Sequence, residues 1–199
     1  MLILRKGCKV PFPDKLAEGY QVGDNNIIAN VNADKIKDVL EHFIRTHEEP
    51  LFFILELPAQ KDAETEIRPG VVNKLHKDVY YMDGCTEEEA LTIMNRVGEL
   101  LINDGQCAFG FGGHISHDEI MVGRYNVVTI YSKEIAKFKE FYDEHDMSQV
   151  LELVTAWDTF TAEHPGETIA YVTEGKTVYE IPEVFADWGI YLAETREES

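Results

Sequence analysis

His114, His117, Asp118 and Glu119 bring nitrogen and oxygen donors together within six residues, and these are the donor types that hold a divalent ion such as zinc. Two imidazoles and a carboxylate from His114, His117 and Asp118, with an open position generating hydroxide, would make a metal-dependent hydrolase. The pattern is His-x-x-His without the glutamate and helix of a metalloprotease motif, and a turn entering a strand does not oblige positions 114 and 117 to converge. The glycines just upstream, Gly110, Gly112 and Gly113, form neither a dinucleotide fingerprint nor a phosphate-cradling loop. Alternating with Phe109 and Phe111, they read as a strand with one apolar face and a bend, so no cofactor is expected. Cys107 is a conceivable nucleophile, but it begins an apolar strand, where a thiol serves as a small buried hydrophobe. Ser116, Ser132 and Ser148 lack the G-x-S-x-G elbow of a serine hydrolase.

A second pattern sets aromatic rings beside carboxylates. Trp157 and Asp158, followed by Glu163 and Glu167, fall in a stretch that should be a helix end and loop. Asp187 and Trp188 repeat the combination, and Asp143, Glu144 and Asp146 crowd one short segment after Tyr142. An aromatic anchor supplies buried area and a carboxylate supplies charge pairing, the two things needed to grip a cationic protein. Trp157 reads equally well as a core residue.

Charge favours such a partner. The net charge is -19 over 199 residues, and residues 140–199 hold 15 Asp and Glu against only Lys176 and Arg196. That surface repels nucleic acid and anionic membrane and steers basic proteins toward itself. The plainer alternative is an acidic housekeeping binding module whose charge maintains solubility. The opening segment carries no signal-peptide core and the chain has no run long enough to span a bilayer, so a cytoplasmic protein is expected. Cys8, Cys85 and Cys107 are odd in number and far apart, which predicts buried, reduced thiols.

Several elements must position these residues. Asn32 is placed to cap a helix over 33–47, with Ile36, Val39, Leu40, Phe43 and Ile44 on one face. Leu51–Leu57 is apolar enough for a central strand, and residues 59–70 read as an exposed loop before an ordered piece at 71–82 that ends in a turn at Asp83-Gly84. Thr86 and Glu89 form a capping box for a helix running to about Asn103, with Gly105 as terminator and Gly98 permitting close packing. Strands are expected at 106–112 and 118–131, helices at 133–145 and at 147–158, the latter capped by Asp146 and Gln149. A hairpin of 168–173 with 177–181, a helical turn over 182–188 and a strand at 190–194 complete the chain. The order is not the regular alternation of a doubly wound sheet. It predicts one α+β domain over residues 1–199, a largely antiparallel sheet with helices against one face.

With its acidic last third, its Tyr142–Asp146 segment and its Ala156–Glu167 stretch, the chain resembles the immunity proteins of bacterial polymorphic-toxin and contact-dependent inhibition systems. The resemblance is one of type: small, acidic, cytosolic α/β domains without a catalytic motif. It implies a non-enzymatic inhibitor that binds and occludes a basic toxin, such as a nuclease, and implies no particular site residue.

Overall fold

The computed structural model describes residues 1–60, 66–68, 71–72, 75–138 and 140–197. In chain order its strands are β1 (Cys8–Lys9), β2 (Gly19–Val22), β3 (Asn26–Asn30), β4 (Leu51–Pro58), β5 (Glu66–Arg68), β6 (Val71–Val72), β7 (His76–Cys85), β8 (Ala108–Gly113), β9 (Glu119–Val122), β10 (Val127–Tyr131), β11 (Glu167–Thr168) and β12 (Tyr191–Glu197). The α-helices are α1 (Ile36–Thr46), α2 (Glu87–Asn103) and the single turn α3 (Ile181–Val184).

Period-3.6 spacing puts Ile36, Val39, Leu40, Phe43 and Ile44 on one stripe of α1, and all five are fully buried. At about 1.5–3 kcal/mol for each buried side chain, that stripe commits α1 to the sheet. Helix α2 begins at the reciprocal Thr86–Glu89 capping box and buries Ala90, Ile93, Met94, Val97 and Leu101 beside it. Its C-terminus is closed by Asp104, whose Oδ1 accepts from the Gln106 and Cys107 amides at 2.8 and 2.9 Å. Gly105 is needed for another reason: a Cβ there would run into the Gly7 carbonyl.

Eight strands form one antiparallel sheet in the order β12-β7-β4-β8-β9-β10-β3-β2. Strict alternation separates its faces. Leu51, Phe53, Leu55, Phe109, Phe111, Ile120, Val122, Val128 and Ile130 point to the helices and are fully buried, while Phe52, Ile54, Glu56, Gly110, Gly112, Glu119 and Met121 occupy the opposite face. The fold is the expected α+β domain, with β4 well inside the sheet. A smaller core of Leu2, Cys8, Leu16, Tyr125 and Ala156 lies under the N-terminal segment.

Other expectations give way to tertiary packing. Asn32 does not cap α1; its Oδ1 accepts from the Ile3 amide, and Lys35 is the N-cap residue. The strand expected over 118–131 is broken into β9 and β10 by a turn in which Tyr125 and Asn126 adopt φ of 56° and 65°. The helix expected over 133–145 is replaced by 3₁₀ turns at Ile135–Phe138 and Asp143–His145. A 3₁₀ turn aligns side chains three apart, and Phe138 and Phe141 are both buried here. No helix forms over 147–158 beyond a turn at Trp157–Thr159. Its backbone bonds instead to β2 and β3: Val150 N donates to Tyr20 O at 2.8 Å, Leu153 N to Gln21 Oε1 at 2.8 Å, and Val154 O accepts from Asn30 Nδ2 at 2.8 Å.

The turn at Glu174-Gly175 is present, with φ of 51° and 75°, but its flanks are not a strand pair. Thr168 joins β11 against β1, and Thr177–Glu180 is a capped 3₁₀ turn leading into α3. The helical turn at 182–188 and the last strand are as expected, the strand extending to Glu197. Part of the loop expected over 59–70 lies outside the described residues. Among the described residues no helix is long and apolar enough to cross a membrane.

Candidate functional site

The acidic turn Asp143–His145 is anchored from below. Tyr142 is fully buried and stacks on Tyr20 at 5.3 Å, and the Tyr20 hydroxyl donates to Asp143 Oδ1 at 2.7 Å. Burial, aided by that carboxylate, pushes the Tyr20 phenol up to about 12. Asp146 follows in the left-handed region at φ 57° and ends the turn. Lys35 Nζ donates to His145 O at 2.9 Å and pairs with Glu18, holding the turn to α1.

Between α1 and this segment lies a cavity of about 460 Å³. Its walls are ring-rich: His42 stacks on Phe141 at 4.4 Å, and His47 stacks on Phe43 and Phe138 at 3.8 and 5.9 Å. Glu48, Glu140 and Glu144 line it as well. Its cation, Lys137, is bonded to Asp118, which is 1% exposed and also 3.2 Å from His47 Nε2. Burial opposes ionisation of Asp118, but hydrogen bonds from Lys137, Ser132 and Ser116 outweigh it and hold the carboxyl below its ordinary range.

The residues of the hydrolytic readings do not assemble here. Ser116 and His47 line this cavity and Asp118 is buried behind them, and His47 holds Nδ1 2.6 Å from the Phe43 carbonyl and Nε2 3.2 Å from Asp118. The proposed metal set does not converge either. His114 Nε2 lies 3.2 Å from Asp83, Asp118 belongs to the His47–Lys137 group, and His117, at φ 58°, lines a cavity on the opposite sheet face. Among the described residues no group of three or more His, Cys, Asp and Glu side chains is arranged to hold a metal. The three cysteines are free and buried, and burial above all pushes Cys107 up to about 12, which leaves it a poor nucleophile.

The aromatic and acidic residues singled out in the sequence are scattered. Asp143, Glu144 and Asp146 share one turn. Trp157 stands elsewhere, half-exposed and edge-on to Tyr125 at 5.0 Å, and Asp158 bends back to accept from Thr155 N and Oγ1 at 2.8 and 2.7 Å. Glu163 is exposed in the following loop, and Glu167 pairs with Lys9 at 3.5 Å. Trp188 lies against α2, where Arg96 sits 5.7 Å from its ring, and Asp187 is exposed beside it. His42, His47, Phe138 and Phe141 complete the site and were not singled out. Histidine at positions 42 and 47, beside the apolar stripe of α1, was the available signal.

No protein-family model, curated protein or solved structure matches the chain.

Proposed function

We propose that this protein is an immunity-type inhibitor that binds a basic protein, and that the Asp143–Asp146 turn with the ring-lined cavity beside α1 forms the docking surface. Exposure carries the reading: every Asp and Glu within residues 140–197 is exposed to solvent. Crowded exposed carboxylates repel one another and do little for a small domain's stability, whereas together they steer a cationic partner from a distance. The cavity adds what steering alone lacks. Its aromatic walls offer area to an inserted side chain, and Glu48, Glu140 and Glu144 offer charge to a lysine or arginine. Occlusion follows if the partner is a nuclease, because these carboxylates then take the ground that substrate phosphates occupy.

Affinity capture from lysate of the producing organism at low and high salt, followed by co-expression of the captured protein, tests this. The expected outcome is one basic protein held near one-to-one, released by salt, harmful to cells alone and harmless beside this chain. A set of captured proteins with no basic member, or a basic partner whose toxicity this chain does not relieve, contradicts it.

A further inference from the structure

The cavity beside α1 is more selective than a patch of negative charge. Glu48 stands just beyond the end of α1, Glu140 and Glu144 stand on the facing segment, and all three line the cavity. The side chains of Glu48 and Glu140 are exposed and make no hydrogen bond or ion pair among the described residues. Glu144 Oε2 lies 3.6 Å from His42 Nε2, an ion pair only when that imidazole is protonated. The lining amine, Lys137, is bonded to the buried carboxylate of Asp118, so its charge is matched behind the wall. Three carboxylates therefore face the cavity without a cation of their own.

Charge is half of the site. Ile115, in the turn between β8 and β9, is 58% exposed and lines the same cavity as the buried rings of Phe138 and Phe141. An exposed isoleucine at a cavity mouth has apolar area to cover, and an inserted chain covers it. The occupant that matches both features carries an apolar stem and a cationic end. Lysine and arginine share that build but differ at the tip. An ammonium is a strongly hydrated point charge, whereas a guanidinium is weakly hydrated, lies flat against rings and holds five donors in a fixed fork. Carboxylates on two facing walls suit the fork, because it can serve two of them at once.

We infer that the cavity receives one arginine side chain of the basic partner, its stem against Ile115 and its guanidinium paired with Glu48 and Glu140, and that it discriminates against lysine. The inference rests on the basic-partner reading for the source of the arginine and names the side chain that makes the central contact.

Acetyl-arginine amide is the probe, titrated into the full chain at fixed ionic strength while backbone amide shifts are followed by NMR. Acetyl-lysine amide and the uncharged acetyl-citrulline amide are its counterparts. The expected result is a set of shifts centred on Thr46, Ile115, Ser116 and Phe141, at least threefold weaker in affinity with lysine and absent with citrulline. Glu48→Gln combined with Glu140→Gln should weaken the arginine response at least fivefold with an unchanged thermal midpoint, and Ile115→Ser should weaken it at least twofold. Asp143→Asn should leave it intact. Equal responses to arginine and lysine, a response to citrulline, shifts confined to residues 142–149, a response unchanged in the double variant, or a silent cavity would each overturn the inference and leave the acidic-turn reading standing. Capture of no basic protein, with the arginine response intact, would instead overturn the basic-partner reading and leave the arginine site.

Discussion

His42 Nδ1 lies 2.9 Å from His145 Nε2, a contact that joins the buried layer of α1 to the acidic turn. One nitrogen must donate and the other accept, so the pair tolerates one shared hydrogen and is broken by a second. Burial holds His145 below its ordinary range of 6.5, and His42 and Lys35 push the same way against Asp38 and Glu144. A lowered histidine pKa means that the unfolded chain binds the proton more readily. Its contribution is therefore intact above about pH 6.5 and is lost as pH falls through the folded value. Urea midpoints should drop between pH 7.5 and 5.5, and His145→Gln should flatten that drop.

Arg5 is 1% exposed and ties three distant pieces of backbone together. Its guanidinium donates to the carbonyls of Gly123 at 2.6 Å and Cys107 at 3.2 Å, and to that of Asp104 at the end of α2. Hydrogen bonds to a charged group are worth roughly 1.5–3 kcal/mol each, so Arg5→Ala should cost about 3 kcal/mol or more in urea unfolding. Lysine, with no fork of donors, should recover only a minor part of it.

Gly110 and Gly84 make a controlled comparison. At Gly110 an added methyl meets backbone that cannot swing aside, whereas at Gly84, with φ 75°, nothing lies within 4 Å and only the left-handed conformation resists a side chain. Gly110→Ala should cost about 1–3 kcal/mol through overpacking. Gly84→Ala should cost less, and Gly84→Asn least, because asparagine tolerates positive φ.

Asp118 is the buried acceptor shared by His47 and Lys137. Removing one member of a buried ion pair typically costs 3–5 kcal/mol, and the partial exposure of Lys137 should reduce that to about 2–3 kcal/mol for Asp118→Ala. Because its carboxyl is held below the ordinary value of 3.8, its contribution is present above that pH and is lost as pH falls through the lowered value. Asp118→Asn should therefore lose stability at neutral pH and lose less than the parent between pH 4 and 2, as read from acid-unfolding curves.

Local signals were legible where local physics decides the outcome. The apolar stripe of α1, the Thr86–Glu89 box of α2 and the apolar run Leu51–Leu55 of β4 each state their element within a few residues. The segment 133–158 reads as helix by the same rules, yet Tyr20, Gln21 and Asn30 offer its backbone better partners from more than a hundred residues away. The site divides in the same way. Asp143, Glu144 and Asp146 are visible as a charge cluster, but that His42 and His47 would meet Phe138 and Phe141 is a long-range packing result. Similarly, Glu119 reads as a fourth candidate donor beside His117 and Asp118, and only strand alternation places it on the face opposite Asp118.

The central claim is that the acidic turn captures a basic protein, and its most direct test is the association rate of the captured partner measured against ionic strength. The chain is compared with the variant carrying Asp143→Asn, Glu144→Gln and Asp146→Asn. The account predicts association at least tenfold slower for the variant at low salt, with a much shallower salt dependence and an unchanged thermal midpoint. Equal rates and equal salt slopes for the two proteins would contradict it.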